Sequence, residues 1–511
     1  MSLVGKVGRN RLKSRMAMGL VYGLLILGAI TTLYPFLLMV STAIKGSFDQ
    51  NGTEIIPPYL VDTGALQKKY LDDKYSGDAA LMTSNGIGEK SGPEPVAAYD
   101  RFLRQLPLDM WTAGFKTAPN QVTSKLQVRY QNWLRKKYSN NVEKLNLSYI
   151  EENIAFQTVT PPAEMLERKS WFPPDTRKYK EWREFKATLP ASFRIPVREQ
   201  RMWQEFVRGK FRNQFSAVPT ELTAGADSFE KLPVIRLHPL MTEFREKALP
   251  DRYKNGAAEA LWTREFPGPL PIAAADRNFV ESNQMAIRRG FLTRNFEYVL
   301  DYILLNGRTV WNTAFFCLLA IATQLIVNPL AAYALSRYPV KQSGQILIFL
   351  LATMAFPAEV AMIPSFLLLK DLGLLNTFAA LVLPTAASGY MIFLLKGFFD
   401  SLPQELFEAG QLDGAKETMM MARIALPLSK PVLGYLALIA FMSAYSAFIY
   451  AFLIAQDQQM WTLMVWIYQL QNLAPKSVMM AALTLAAVPT LVVFLFAQNV
   501  IMRGIVLPDE R

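Results

Sequence analysis

Long apolar runs without charge constrain this chain more than any other feature of its sequence. A membrane-spanning helix needs about 20 predominantly apolar residues to cross the hydrocarbon core. Five apolar runs of about this length contain no charged residue. A sixth run is interrupted by one charge, Glu359, which lies between Pro357 and Pro364, and membrane helices tolerate proline. We therefore predict an all-α membrane protein with six transmembrane helices, at Met16–Ile44, Thr309–Ser336, Ile346–Leu369, Leu372–Leu395, Pro431–Gln456 and Ser477–Met502.

The segment between the first two runs has a different composition. Residues 46–307 are rich in Lys, Arg, Glu, Pro and Trp and contain no apolar run long enough to span. Their basic and acidic residues nearly balance, which argues against a nucleic-acid groove. The prediction is a first transmembrane helix within residues 1–45, a soluble, mostly helical insertion at 46–307, and five transmembrane helices within 308–511.

Charge near the first run predicts its orientation. Lys6, Arg9, Arg11, Lys13 and Arg15 precede it, and such clusters stay cytoplasmic during insertion. A signal peptide is the alternative, because Ser41-Thr42-Ala43 resembles a cleavage site, but the apolar stretch is longer than a signal sequence requires. We expect a multi-pass protein of the inner membrane with both termini cytoplasmic and the insertion outside.

Residues for catalysis or metal binding are scarce. Cys317 is the only cysteine, so no intrachain disulfide can form, and His238 is the only histidine. We interpret His238 as a solvated or hydrogen-bonded surface residue. No catalytic residue, metal site or bound cofactor is predicted.

The loop between the fourth and fifth runs, residues 401–431, is the most informative part of the chain. Ser401 can cap a short helix with Pro403 in its first turn, and Gly414 offers a stop before a second helix. Phe407, Gly410, Gln411 and Gly414 recur at helical spacing, so we predict that they form one face suited to close docking.

This loop resembles the EAA motif of ABC importer permeases. The matching residues are Glu408, Ala409, Asp413, Gly414, Ala415, Ile424, Leu426 and Pro427, with Gly410 where the pattern usually has alanine. The resemblance implies a cytoplasmic coupling helix that sits in a cleft of a separate ATPase, with Glu408 contacting that subunit. An ordinary amphipathic loop is the alternative.

The resemblance covers residues 20–46 and 291–511 and is nearest to the carbohydrate, maltose-type branch. It implies a permease subunit that imports a sugar or oligosaccharide together with a homologous permease, an ABC ATPase dimer and an extracytoplasmic solute-binding protein. The tail departs from the pattern after Arg503-Gly504. The residues that would bind the cargo are not identifiable from the sequence.

The energy source must lie in another chain. No Gly-x-x-x-x-Gly-Lys-Ser/Thr loop occurs here, and Gly86–Gly92 lacks the Gly-Lys pair, so ATP is expected to bind the partner ATPase. Ion-driven transport is the competing mechanism and would need ionisable groups within the spans. Only Glu359 qualifies, and we interpret it as polarity at a helix end or interface.

The resemblance does not extend to the insertion. Amphipathic spacing predicts helices at 99–106, 124–138, 142–156, 199–215 and 241–249. Part of the insertion weakly resembles a helical segment of β-galactosidases. The resemblance includes no pair of catalytic carboxylates, so the sequence does not indicate a glycoside hydrolase. Trp111, Trp171 and Trp182 could stack on sugars, but we interpret them as core residues.

Two roles for the insertion remain open. It could dock the solute-binding protein or lengthen the entrance to the pathway. Alternatively, the chain could be a membrane-anchored receptor or glycan-binding protein with residues 46–307 as its working part.

Overall fold

The computed structural model describes residues 12–87, 96–116, 125–153, 156–301, 308–338, 341–353, 357–472 and 474–504. Among these residues the regular structure is helical, apart from one antiparallel pair of short strands. The all-α class is thereby confirmed. The chain forms two compact units, one of residues up to Tyr298 with the stretch 474–481, the other of residues 299–472 and 482–504.

The elements of the first 300 residues are mostly short. In chain order they are α1 (Leu12–Ala43), α2 (Thr63–Lys74), α3 (Ala79–Ser84), α4 (Val96–Gln105), β1 (Trp111–Ala113), α5 (Lys125–Lys137), α6 (Val142–Tyr149), α7 (Arg177–Ala187), β2 (Arg194–Pro196), α8 (Glu199–Lys210), α9 (Thr220–Thr223), α10 (Pro239–Lys247), α11 (Ala258–Glu265), α12 (Ile272–Ser282) and α13 (Gln284–Leu300).

The later elements are more apolar. They are α14 (Thr309–Arg337), α15 (Ser343–Ala352), α16 (Ala358–Asp371), α17 (Phe378–Val382), α18 (Gly389–Asp400), α19 (Gln404–Leu412), α20 (Glu417–Met420), a π-helical turn (Met421–Ala425), α21 (Leu426–Leu428), α22 (Lys430–Ser446), α23 (Ile449–Ile454), α24 (Leu463–Leu470) and α25 (Lys476–Gly504). Single 3₁₀ turns occur at Pro58–Leu60, Leu108–Met110, Phe156–Thr158, Ala191–Phe193, Phe215–Ala217, Phe229–Lys231, Asp251–Tyr253, Leu383–Thr385 and Gln458–Met460.

Aromatic side chains fill the core of the insertion. One cluster contains Trp111 and Trp182, both fully buried, and a second is built around Trp203. Trp171 is partly buried and packs against both clusters. The interpretation of Trp111 and Trp182 as core residues is confirmed, and β1 pairs with β2 in the register Trp111 to Pro196.

All five predicted helices of the insertion exist, but two are shorter than expected. The helix predicted at 142–156 ends at Tyr149, because Ile150 adopts the left-handed conformation at φ 57°. The helix predicted at 199–215 ends at Lys210, before Arg212 and Asn213, which also have positive φ. The pattern of apolar residues does not show where the backbone adopts positive φ, so it could not predict these helix ends.

Charged side chains are buried inside the insertion as pairs. The Lys186 ammonium lies 3.1 Å from the Glu164 carboxylate, and both side chains are 1% exposed. Carbonyl oxygens of Leu108 and Trp111 accept further bonds from Lys186. Burial lowers the pKa of Lys186 to about 8, an effect that the Glu164 charge partly offsets. With no disulfide available, such pairs and the aromatic core fix the packing.

His238 and Cys317 have structural positions. The His238 Nδ1 atom accepts a hydrogen bond of 3.1 Å from the Leu240 N–H and so caps α10. The predicted hydrogen-bonded histidine is therefore confirmed. Cys317 is buried within α14.

Three of the predicted spans are single long helices: Met18–Ala43 of α1, α14, and Lys476–Gln498 of α25. Two further spans arise only if bent pairs are counted, at Phe378–Thr385 with Gly389–Asp400 (52°) and at Glu417–Leu428 with Lys430–Ser446 (82°). Within the predicted third span, which the sequence already marked as interrupted, the described residues form parts of α15 and α16. The predicted fourth span contains the break between α17 and α18, and the predicted fifth span contains a break between α22 and α23. The count of six spans stays a prediction.

Asn328 explains one of these breaks. This fully buried side chain of α14 accepts a bond of 2.8 Å from the Ser388 N–H and donates to the Ala386 carbonyl at 3.3 Å. Backbone groups freed between α17 and α18 are thereby satisfied inside the protein, as a break at membrane depth requires. The partner lies some sixty positions away, so the apolar run gave no sign of it.

Several predictions fall on residues outside those described. They concern Lys6, Arg9 and Arg11 of the basic cluster, most of the Gly86–Gly92 loop, the side chain of Glu359 and the tail beyond Gly504.

Replacing Glu164 with Gln should destabilise the insertion, because it leaves the buried Lys186 charge without its counter-ion. Removal of one partner of a buried pair costs about 3–5 kcal/mol. We expect a lower midpoint of thermal unfolding by tryptophan fluorescence, with partial recovery in the double variant E164Q/K186M. Asp175→Asn, in the exposed pair with Lys180, is the control and should leave the midpoint unchanged. An E164Q protein that melts with the wild type would contradict this account.

Candidate coupling site

The predicted coupling helix exists as α19, but it begins differently from the expectation. Ser401 ends the preceding helix α18, where its hydroxyl donates to the Phe398 carbonyl at 2.7 Å. Pro403 is the N-cap of α19, and no side chain caps its free N–H groups. The helix ends at Leu412, and Gly414 then turns the chain at φ 76°. Glycine suits this turn because it has no Cβ to clash at positive φ.

The face predicted to dock is turned toward the protein itself. Phe407 is only 5% exposed, and it belongs to the core formed by α14, α18 and α22. An added Cβ at Gly410 would lie 3.3 Å from the Met420 sulfur and 3.5 Å from the Ile424 Cδ1 atom. Gln411 and Gly414 lie at the surface. The four residues therefore do not form one face, because the helix ends at Leu412, before Gly414, and only Phe407 and Gly410 are turned toward the interior.

The last turn of α14 holds α19 and α20 in place. The Arg337 guanidinium stacks on the Phe407 ring at 3.8 Å and donates to the carbonyls of Phe399 and Leu402. One turn earlier, the Tyr333 hydroxyl donates to the Glu417 carboxylate at 3.1 Å. A cation–π contact contributes about 0.5–2 kcal/mol, depending on how dry it is. We call Tyr333 and Arg337, with their partners, the α14 brace.

The predicted site residues divide between surface and interior. Glu408, Ala409, Asp413, Gly414 and Pro427 are exposed, whereas Gly410, Ala415, Ile424 and Leu426 are partly buried. Ile424 falls in the π-helical turn, whose last residue, Ala425, is fully buried.

Leu412 is a surface residue that the sequence reasoning missed. Its side chain is 90% exposed at the end of α19, between Gln411 and Asp413, which are also exposed. It lies one helical turn from the exposed Glu408 and Ala409, so all three side chains are accessible on α19. The sequence could have indicated it, because this leucine does not share the helical spacing of the residues predicted to form one face.

Comparison with known proteins identifies the chain. The family described as binding-protein-dependent transport system inner membrane component matches residues 328–506. Protein LplC of Bacillus subtilis is 32% identical over 220 residues, which cover 40% of this chain and 74% of LplC. The sn-glycerol-3-phosphate transport system permease protein UgpE of Brucella abortus is 31% identical over 266 residues, 51% of this chain and 90% of UgpE. The chain belongs to this permease family.

Other similarities of the permease are weaker. The polygalacturonan/rhamnogalacturonan transport system permease protein YtcP of Bacillus subtilis is 28% identical over 216 residues, 39% of the permease and 75% of YtcP. A chain in the crystal structure of a bacterial ABC transporter that imports the acidic polysaccharide alginate matches with a TM-score of 0.36 and 25% identity, covering 40% of the permease and 78% of that chain.

Membership of the family fixes the class of the permease. It is a multi-pass inner-membrane component of an ABC importer, a transporter subunit that works with an ATPase and a substrate-binding protein. The alternative of a membrane-anchored receptor is not favoured by these relatives.

Two substitutions at Gly410 should show whether transport depends on the close packing of this residue or on the helix propensity of α19. Gly410→Ala needs only a few tenths of an ångström from the flexible Met420 side chain and improves helix propensity by about 1 kcal/mol, so we expect wild-type uptake. Gly410→Leu should push α19 away from Met420 and Ile424 and reduce uptake of the assembled transporter. Uptake assays in membrane vesicles measure both. Equal activity of the two variants would show that the close approach at Gly410 does not matter.

Proposed function

We propose that this permease moves a sugar or oligosaccharide into the cell, together with a homologous permease, a dimer of ABC ATPases and an extracytoplasmic solute-binding protein. The names of two relatives support a carbohydrate-like cargo, since UgpE is named for sn-glycerol-3-phosphate and YtcP for polygalacturonan and rhamnogalacturonan. No bond in the cargo changes. ATP is bound by the partner ATPase, because the chain carries no phosphate loop.

The observation that carries the proposal is the exposed surface of α19 above a braced interior. Glu408, Ala409 and Leu412 offer a carboxylate, a small residue and an apolar anchor, while Phe407 and the α14 brace hold the helix from behind. Glu408 makes one described side-chain contact, a bond of 2.9 Å from the Gln404 amide. Its second carboxylate oxygen is thus available to a partner.

The brace suggests how movement passes from the ATPase to the membrane. Closure of the ATPase on ATP would displace α19, and Arg337 joins α19 to the end of the 29-residue helix α14. A stiff contact transmits displacement, whereas a flexible loop would absorb it. The loop 401–431 is accordingly assigned to the cytoplasmic side, with both termini, and the insertion to the outer side.

Selectivity is assigned mainly to the partner chains. A cavity of about 520 Å³ opens among α14, α22, α24 and α25, but its lining is almost wholly apolar. Tyr445, which lines it, uses its hydroxyl to donate to the Ala486 carbonyl at 2.7 Å. A saccharide needs hydrogen-bond partners for its hydroxyl groups, so this cavity is a poor binding site for one.

Glu408→Lys should uncouple transport while leaving the fold intact, because the side chain is exposed and its one described contact is within α19. The reversed charge opposes whatever cation the ATPase presents. We expect uptake to fall at least tenfold, roughly the effect of 1.4 kcal/mol, and less ATPase to co-purify. Asp371→Lys, the same change at an exposed residue at the end of α16, is the control and should transport normally. Normal uptake by E408K would refute the assignment of the coupling site.

We assign to the insertion the docking of the solute-binding protein. Residues near its two ends lie side by side, since the Thr63 hydroxyl is 3.5 Å from the Gln284 side-chain oxygen. Residues 62–283 can therefore be replaced by a short Gly-Ser linker without stretching the chain. Contacts of α1 with Tyr59 and Asn295 would remain.

The permease lacking residues 62–283 should still reach the membrane and bind the ATPase, but lose uptake that depends on the solute-binding protein. Transport in proteoliposomes with and without that protein measures the loss, and co-purification of the ATPase shows that the rest has folded. Unchanged dependence on the binding protein would rule out the docking role.

A further inference from the structure

A run of exposed residues in α1 is long enough to cross the hydrocarbon core of a bilayer. Side chains are exposed without interruption from Gly19 to Leu37. At 1.5 Å per residue this stretch measures about 28 Å, close to the roughly 30 Å of the hydrocarbon region. Burial then rises within one turn, and Ser41, Thr42 and Ala43 are covered. The covering begins where the helix would leave the lipid.

A loop of the insertion provides that covering and is fixed to the helix. The Ser41 hydroxyl donates to the Glu54 carbonyl at 2.7 Å, and the Lys45 ammonium donates to the Gly52 carbonyl at 2.7 Å and to that of Glu54 at 3.2 Å. The Tyr59 hydroxyl donates to the Ile44 carbonyl at 2.8 Å. Three points along residues 52–59 are thus tied to the last turn of α1 and the residues just beyond it.

The C-terminal end of α1 is also held by a residue of α13, Asn295. The Asn295 amide donates to the carbonyls of Ala43 and Lys45, each at 2.7 Å, and so satisfies backbone groups that a helix C-terminus leaves free. Lys45 itself is 2% exposed. The loop therefore cannot move away from Ser41 without breaking several partly buried hydrogen bonds.

Two isoleucines of this loop face outward at the same level. Ile55 and Ile56 follow Glu54 directly and are 43% and 64% exposed, whereas the next residue, Pro57, is buried. Two adjacent isoleucines exposed to water gain nothing there, whereas transfer of an apolar side chain from water to an apolar environment is favourable. The bond between the Ser41 hydroxyl and the Glu54 carbonyl, which directly precedes Ile55, places both isoleucines next to the last turn of α1.

We infer that Ile55 and Ile56 insert into the headgroup and acyl boundary of the bilayer at the C-terminal end of α1. The insertion then rests on the lipid surface through this loop as well as through its covalent connection to the helix. An apolar contact of this depth is what interfacial segments of membrane proteins make. The inference requires only that α1 spans the membrane and does not depend on the cargo.

The test uses the full-length permease with its partner chains in lipid nanodiscs. Cys317→Ala removes the only native thiol, and single cysteines then carry a nitroxide spin label at Ile55, Ile56, Leu27 or Leu237. Leu27 is exposed on the bare part of α1 and is the lipid reference; Leu237, fully exposed within the insertion, is the water reference. Collision of each label with oxygen, which prefers lipid, is compared with that of a nickel chelate, which prefers water.

We expect the ratio of oxygen to nickel accessibility at Ile55 and Ile56 to exceed that at Leu237 several-fold and to approach that at Leu27. A ratio equal to that at Leu237 would overturn the inference. Labels protected from both reagents would also overturn it, since they would show that a protein, either the sister permease or the binding protein, covers the loop. Normal uptake by each variant establishes that the labelled proteins are folded.

Discussion

The coupling site depends on one cation placed against one aromatic ring. Arg337, at the end of α14, stacks on Phe407 and at the same time binds two carbonyls of the chain that leads into α19. The ring is buried, so the contact is shielded from water and stronger than it would be at the surface. Because Phe407 occupies the inner face of α19, Glu408 and Leu412 are left on the outer one. The orientation of the proposed coupling surface thus follows from a buried residue of the same helix.

The insertion solves a related problem without a covalent crosslink. Its side chains are fixed by close packing, hydrogen bonds and paired charges, which occur together where Lys186 meets Glu164 beside Trp111. A buried pair contributes little net stability but makes any other arrangement costly, since either ion alone would be stranded. A domain held in this way presents a defined surface, which docking to another protein requires.

The motif in the loop was readable from the sequence because its residues are close together along the chain. Glu408, Asp413 and Pro427 lie where a short helix, a turn and a second helical segment place them. What the sequence did not reveal depended on distant partners: Asn328, which supports a break near Ser388, and Arg337, which turns Phe407 inward. Apolar runs predict that a segment enters the membrane, but whether it stays a single helix is decided by neighbours that hydropathy ignores.

The closeness of Thr63 to Gln284 has a meaning beyond the design of a deletion. A segment that leaves a fold and returns to the same place need not distort that fold, and the entropic cost of closing it grows only slowly with its length. Such a segment can be acquired, lost or exchanged between permeases as a unit. The large insertion can accordingly change in size or sequence without displacing the two ends to which it is joined.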